Sequence, residues 1–482
     1  MTGKRVTTGR QVAQRKLLRA ALMAGLAGLL LAGSAEAAGS ARAVGQGPEP
    51  LLPPTPPTPR PTPSTAATQK AFDAAFPLAP GTQPVSAAPV PVEEPVAQWN
   101  VADATALLET IEGIDKEGLF PNDYQPEALR AAIAAGMGPA LDQQASRSFD
   151  WLAEDLRDGR TPWPARVQWF AIDPDQDLLP TKDLLAQALT THDVPGVLAS
   201  LDPTYPDYAA LRDALATISP TDRRRRSLIR VNMDRWRWLP RDLAQGGQNY
   251  LLANVPEFQL RLMRYFQVVR TYKTIVGKPG RTATPQLAER VQAVVFNPTW
   301  TVPQSIIDHE GLADKLRAHP RPGYKLIENP DGGVTIVQQP GPNNSLGQMK
   351  IDMPNPHAIY LHDTPEKALF NQPVRAFSHG CVRTERAVEL GMTMAMMGAG
   401  ATPERAVELY KAGKYARVVM TRTFPVYLTY FTVGRDVNGQ MSIFNDLYAR
   451  DEPVLASFAQ PRQLHTTQRT STDEVIVAQD PL

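Results

Sequence analysis

The chain has 482 residues, with 50 Lys and Arg against 49 Asp and Glu and a formal net charge of +1. That balance gives no footing to a nucleic-acid binder working through a basic surface, and the length leaves room for more than one domain. One cysteine in the whole chain, Cys381, excludes an internal disulfide framework.

At the N-terminus, Lys4, Arg5, Arg10, Arg15, Lys16 and Arg19 precede an apolar run from Ala20 to Ala32, and Ser34-Ala35-Glu36-Ala37 supplies a small-residue cleavage site. The pattern predicts a secretory signal peptide over residues 1–37, with an uncleaved membrane anchor as the alternative. Cleavage after Ala37 removes six positive charges and one negative, leaving a formal charge of about −4. Residues 38–97, with Pro53-Pro54-Thr55-Pro56-Pro57-Thr58-Pro59, are too rich in Pro, Ala and Thr to bury a core and read as an extended tether.

Ala104, Leu107, Leu108 and Ile111 fall at i, i+3, i+4 and i+7 and predict a helix ending by Gly113; Phe149, Leu152, Ala153 and Leu156 repeat the stripe, closed by Gly159. Residues 98–240 read as a mostly helical domain. Within it, Arg223 to Arg226 is expected to be a solvated helix face, and Trp236 and Trp238 to be packing anchors for the next domain. From Tyr250 alternation takes over: 250–255, 258–262, 267–276, 292–296, 357–361, 417–420 and 426–433 read as strands of a mainly β domain over 241–450, with few helices after Cys381. Residues 451–482 read as a polar tail, loosely ordered from about 455.

The chemistry is concentrated between His357 and Arg383. This stretch holds Cys381 and three of the seven histidines, His357, His362 and His379. Covalent catalysis by cysteine needs a thiolate, an imidazole to manage its proton, and backbone N–H donors for a developing oxyanion. His362 is expected at a strand end, which Asp363-Thr364-Pro365 breaks, and Ser378-His379-Gly380-Cys381 is expected to turn tightly. A helix starting near Val382 or Arg383 would direct its N-terminal dipole at the thiol. Two blander readings compete. A lone cysteine often serves as a small buried hydrophobe, and His362, His379 and Cys381 are all zinc-ligand types, although a fourth ligand and the usual H-x3-H or C-x2-C spacing are missing. No metal or cofactor is expected.

Counted from His362, H-x15-S-H-G-C-V-R resembles the signature of the YkuD-type L,D-transpeptidases. Asn297-Pro298-Thr299-Trp300-Thr301-Val302-Pro303, Gly341-Pro342-Asn343-Asn344-Ser345-Leu346-Gly347 and Tyr360-Leu361-His362-Asp363-Thr364-Pro365 resemble the YcbB-like branch, a likeness covering about residues 225–435. Gly118 to Tyr124 is similar to a turn in the helical scaffold of that branch, and the insertion at 303–340 to its capping subdomain. The resemblance implies an α+β multidomain chain in which a helical scaffold precedes a mainly β YkuD sandwich. A capping lid over the site would exclude water and favour transfer to an amine over hydrolysis. One departure is that no segment between about 165 and 225 matches the small helical peptidoglycan-binding module common in the branch.

Carried over residue by residue, the resemblance makes Cys381 the nucleophile and His362 the proton donor and acceptor. The backbone carbonyl of Asp363 would orient His362, and the Gly380 and Cys381 N–H groups would form the oxyanion hole. Tyr360, His379, Arg383, Trp300 and Ser378 would shape or line the substrate cleft. The implied setting is the periplasm. The implied partners are peptidoglycan stem peptides, a tetrapeptide donor and a diaminopimelate amine acceptor joined in a 3–3 cross-link, with carbapenems as inhibitors and no nucleic acid. A 1–3 cross-link, L,D-carboxypeptidase activity and a non-catalytic wall-binding role stay open at this level.

Overall fold

The predicted stripe of Ala104, Leu107, Leu108 and Ile111 is buried along α1 (Val101–Glu112), which Asn100 caps by accepting from the Asp103 N–H. The computed structural model describes residues 97–171, 179–241, 249–462 and 473. The expected export signal and the tether up to residue 96 lie outside the described residues. Helices α2 (Pro126–Ala135), α3 (Pro139–Asp158), α4 (Thr181–Thr191) and α5 (Val194–Ala199) come next. Phe149, Leu152 and Leu156 of α3 meet α1, α4 and α5 in one apolar cluster with Trp99 and Tyr124. Two further helices, α6 (Pro206–Thr217) and α7 (Arg223–Arg237), complete the helical region.

Helix α7 joins that region to the strand-rich one. Arg223, Arg224 and Arg225 in its first turn are exposed, as the sequence predicts, whereas Arg226 turns back to the Leu215 carbonyl and Asp115. Further along, Asn232 accepts from the Thr432 N–H at 2.8 Å and donates to the Thr432 hydroxyl at 3.0 Å. Arg235 pairs with Asp451 at 2.6 Å, both buried. Trp236 stacks on Phe431, centroids 4.3 Å apart and rings 15° from parallel, and Trp238 meets Trp169 edge-on at 5.0 Å. Trp236 is the anchor to the strand-rich region expected of it, whereas the ring partner of Trp238 lies in the helical region.

The strands are β1 (Asn249–Asn254), β2 (Gln259–Arg264), β3 (Gln267–Gly277), β4 (Leu287–Arg290), β5 (Ala293–Phe296), β6 (Trp300–Thr301), β7 (Tyr324–Glu328), β8 (Val334–Gln338), β9 (Met349–Asp352), β10 (Leu361–His362), β11 (Ala376–Ser378), β12 (Val382–Thr384), β13 (Ala416–Val419), β14 (Pro425–Thr429), β15 (Val433–Arg435) and β16 (Met441–Ile443). One eleven-stranded sheet runs β13-β5-β9-β10-β12-β3-β2-β1-β14-β4, with β11 beside β3. Four residues of β5, Ala-Val-Val-Phe, are buried on both faces because α10 (Ala387–Ala399) lies over β5 and β9 and brings Leu390, Met394 and Ala395 into the main core. The insertion after β6 forms α8 (Gln304–Glu310) and α9 (Leu312–Ala318), and with the three-stranded sheet β6-β8-β7 it packs a small core of its own.

Among the described residues the helices after Cys381 are the few expected: α10, α11 (Pro403–Lys411) and α12 (Asp451–Phe458). Two expectations need correction. Residues 357–361 are not a strand; pairing is confined to Leu361–His362, because Ala358 takes a positive φ of 53° and ends any extended run. Up to residue 462 the tail is held: α12 buries Val454, and the Arg462 side chain pairs with Asp155 at 3.0 Å and Glu154 at 2.8 Å on α3, while the rest of the expected loose tail, apart from residue 473, lies outside the described residues.

Asp202 lies near a buried cluster in which Glu117 accepts from the Tyr208 hydroxyl and Arg237 donates to the Glu117 carbonyl. One carboxyl oxygen of Asp202 is buried without a hydrogen-bond partner, and burial, reinforced by Glu117, pushes its carboxyl up to about 6. A carboxyl raised above its unfolded value binds more protons when folded. Its stabilising share is present below about pH 4 and is lost as pH rises through about 6. Asp202→Asn is therefore expected to raise stability by ~1–2 kcal/mol at pH 8 and to give no gain at pH 4, as read by thermal melts across that range.

Candidate active site

Strands β10 and β12 pair in parallel, with Leu361 beside Val382 and His362 beside Arg383. The Val382 N–H donates to the Tyr360 carbonyl at 3.1 Å and extends the ladder one residue back. Side chains alternate along a strand, so Leu361 and Val382 share one face and His362 and Arg383 the other, with Tyr360 one residue before β10 and Cys381 one residue before β12. On its far side β10 pairs with β9, which sets Lys350 beside His362. Lys350, His362 and Arg383 thus form one row across three strands. Lys350 Nζ sits 4.3 Å from the centroid of the Tyr360 ring, and the Tyr360 and His362 rings lie 5.5 Å apart at 64°.

Cys381 is buried, and its Sγ lies 3.7 Å from the Ala358 carbonyl oxygen. Ala358 holds its uncommon backbone conformation because Asn355 stitches the loop around it. The Asn355 Oδ1 accepts from the His357 and Ile359 N–H groups, and its Nδ2 donates to the Met353 and Ile359 carbonyls. His357 is buried against Phe170, ring centroids 4.2 Å apart. Phe170 belongs to the segment after the first helices, and its N–H donates to the Gln286 carbonyl at 2.8 Å. Sequence reading missed Asn355 and Ala358; Asn between two prolines, Pro354-Asn355-Pro356, was the available signal for a side-chain-stitched loop.

The Ser378-to-Cys381 turn is tight, with Gly380 at φ 118°, a conformation that L side chains rarely adopt. Ser378 is fully buried; its hydroxyl donates to the Cys381 carbonyl at 2.5 Å and accepts from the Gly380 N–H at 3.3 Å. Ser378, expected to line the cleft, uses its hydroxyl to close the turn, and the N–H of Gly380, expected as an oxyanion donor, is directed at Ser378. His379 is half-buried on the same turn. Val382 to Thr384 is strand, caught between β10 and β3, and Arg386 at φ 49° delays α10 to Ala387. A helix dipole acts within its first turn, so α10 starts too late to serve Cys381.

Asp363 is buried, and its carboxylate accepts from the Gln348 N–H at 3.0 Å and pairs with Lys367. Gly347, at φ 60°, has to be glycine here, since a Cβ would lie 2.4 Å from the Asp363 Oδ2. The side chain expected to matter less than its backbone therefore locks two loops together next to His362. Arg383 is buried and donates to Glu366 at 2.6 Å. Trp300 is only 3% exposed and belongs to the small core of the insertion, a packing position and not a cleft wall. Tyr360 is half-buried and packs against both that core and the main one. Asn297 and Asn344 of the resembling motifs are structural: Asn297 donates to the Leu409, Tyr410 and Lys414 carbonyls, and Asn344 to those of Pro298, Gln338 and Gln339. Among the described residues no group of three or more His, Cys, Asp and Glu is arranged to hold a metal ion.

These features coincide with a family match. Residues 248–412 match the L,D-transpeptidase catalytic domain of the YkuD family, and residues 97–215 match a scaffold domain. A Haemophilus influenzae protein assigned by name as an L,D-transpeptidase is 30% identical over 245 residues, 47% of this chain and 48% of that protein. The chain thus spans about half the length of that curated relative. Two solved structures are similar over 38% of the chain at 15% identity. One is the catalytic domain of the Enterococcus faecium L,D-transpeptidase acylated by ertapenem (98% of that chain, TM-score 0.19), the other Mycobacterium tuberculosis L,D-transpeptidase 1 (62%, TM-score 0.18). The strand-rich region thus matches a YkuD L,D-transpeptidase catalytic domain, and the helical region before it matches a scaffold domain.

Proposed function

We propose that this protein is a peptidoglycan L,D-transpeptidase of the YcbB-like branch, acting in the periplasm after export and forming 3–3 cross-links through an acyl-enzyme on Cys381. The reading is supported by the β10–β12 pairing, which brings His362 beside Arg383, two residues from the chain's single thiol, within a sheet that matches the catalytic domain. His362 takes the thiol proton, and the Cys381 sulfur attacks the carbonyl carbon of the third residue of a tetrapeptide stem. As the thioester forms, the C–N bond to the terminal D-alanine breaks, and the leaving amine receives the proton from His362. A side-chain amine of a second stem then attacks the thioester, forming an amide and returning the thiol.

The row of Lys350 and Arg383 beside His362 offers cationic groups for stem carboxylates. The insertion core that reaches Tyr360 favours an amine acceptor over water by limiting solvent at the thioester. Hydrolysis by water would make an L,D-carboxypeptidase, and attack on the first-position carbonyl would give a 1–3 link.

Intact-protein mass spectrometry with a carbapenem tests the nucleophile: one covalent adduct is expected on the wild type and none on Cys381→Ala. An adduct on the Ala variant would sink the assignment. His362→Ala is expected to slow acylation by about 10²-fold or more, with His379→Ala losing less. Equal losses in two folded variants would show the roles to be wrong. With disaccharide-tetrapeptides as substrate, tandem mass spectrometry is expected to find a dimer lacking one D-alanine and joined between diaminopimelate residues. Monomer lacking D-alanine would identify a carboxypeptidase instead.

A further inference from the structure

Thr284 is fully buried in the stretch just before β4, almost a hundred residues from the thiol turn, yet its hydroxyl donates to the Gly380 carbonyl at 2.8 Å. The same oxygen accepts from the Gly277 N–H at 2.9 Å, at the end of β3. The hydroxyl proton therefore has a fixed direction, toward Gly380. Tyr448 braces the arrangement from the other side: its hydroxyl donates to the Gly277 carbonyl at 2.6 Å and accepts from the Thr284 N–H at 3.2 Å. On the next peptide, the Cys381 carbonyl is held by the Ser378 hydroxyl.

A trans peptide unit directs its C=O and N–H to opposite sides. Pinning the Gly380 carbonyl toward Thr284 consequently turns the N–H of the same peptide unit, that of Cys381, to the side away from Thr284. Gly380 has no Cβ and a φ of 118°, so without an external hold this peptide could rotate between orientations more readily than any other in the turn. The Gly380 N–H is directed at Ser378. Between the two backbone donors of the turn, the one whose orientation is set from outside the turn is that of Cys381.

We propose that Thr284 is a positioning residue for the oxyanion hole: by holding the Gly380 carbonyl it fixes the direction of the Cys381 N–H as a donor to the oxygen of the carbonyl under attack. This rests on the acyl-transfer reading above. Acylation by a β-lactam forms the Sγ–C bond, places negative charge on the carbonyl oxygen, then breaks the lactam C–N bond with the thiol proton ending on nitrogen. That charge needs a backbone donor. Alkylation of the same thiol by iodoacetamide forms Sγ–C and releases iodide by direct displacement, developing no oxyanion. The two reagents separate oxyanion support from thiol reactivity.

For the full chain, Thr284→Val is expected to slow carbapenem acylation by about 10-fold or more, toward the loss seen when an oxyanion donor is removed. Iodoacetamide alkylation of Cys381 should stay within about twofold, and Thr284→Ser should restore acylation to within about threefold. Thr284→Val acylating at the wild-type rate would overturn the proposal, as would equal losses with both reagents, which mark a displaced thiol. If the Val variant fails to fold, Thr284→Ser alone decides: it keeps the hydroxyl, so a selective acylation loss in that folded variant overturns the role and near-normal rates with both reagents support it. A wild-type protein that alkylates but never acylates would overturn the transpeptidase reading itself, a result distinct from any Thr284 effect.

Discussion

The parallel pairing of β10 with β12 is the constraint on which the rest of the catalytic region depends. Each strand is very short, two and three residues, and neither would hold alone. They persist because β9 and β3 flank them and because Leu361 and Val382 are fully buried in the main core. The hydrophobic pair sets the register, and a slip of one residue would turn it out of that core. Placing His362 beside Arg383 is thus a by-product of burying Leu361 and Val382.

The turns that present the thiol carry strain that the surroundings hold in place. Ala358 and Arg386 sit at positive φ without being glycine, on either side of the Cys381 segment. Asn355 holds the first with four hydrogen bonds, while Arg386 is held by its guanidinium, which donates to the Thr271 carbonyl and pairs with Glu389. Of these two, Asn355 is half-buried and Arg386 exposed, so removing Asn355 is the change that leaves partly buried loop groups without a partner. Asp363, Asn344 and Asn297 act in the same way at the root of the insertion.

The helical stripes, the strand-rich region and the Trp236 anchor could all be read from the sequence because each rests on periodicity or on a short local motif. What could not be read depends on long-range partners. Nothing local to Thr384 says that it pairs with Thr274, so helix propensity after Cys381 won the reading and tertiary pairing won the fold. The family resemblance implies Ser378 and Trp300 as cleft residues, and both are buried in the fold. Thr284, Asn355 and the buried side of Asp363 act through partners 2 to 96 residues away, and residue identity alone gives no direction to a hydroxyl or an amide.

The scaffold contributes to the site by tethering, not by touching the thiol. Asn232, Arg235 and Trp236 of α7 fix the stretch after β14, and β14 pairs in parallel with β1 at the centre of the sheet's other half. From the opposite end, Phe170 reaches His357, one residue before the carbonyl that faces Sγ. A buried ion pair such as Arg235–Asp451 adds little net stability over apolar packing, but breaking it leaves a charge stranded. Such a pair permits one docking geometry and penalises near misses. A loop whose carbonyl must meet a thiol at 3.7 Å tolerates few of those. Specificity of docking, more than its strength, is what the helical region supplies to the thiol turn.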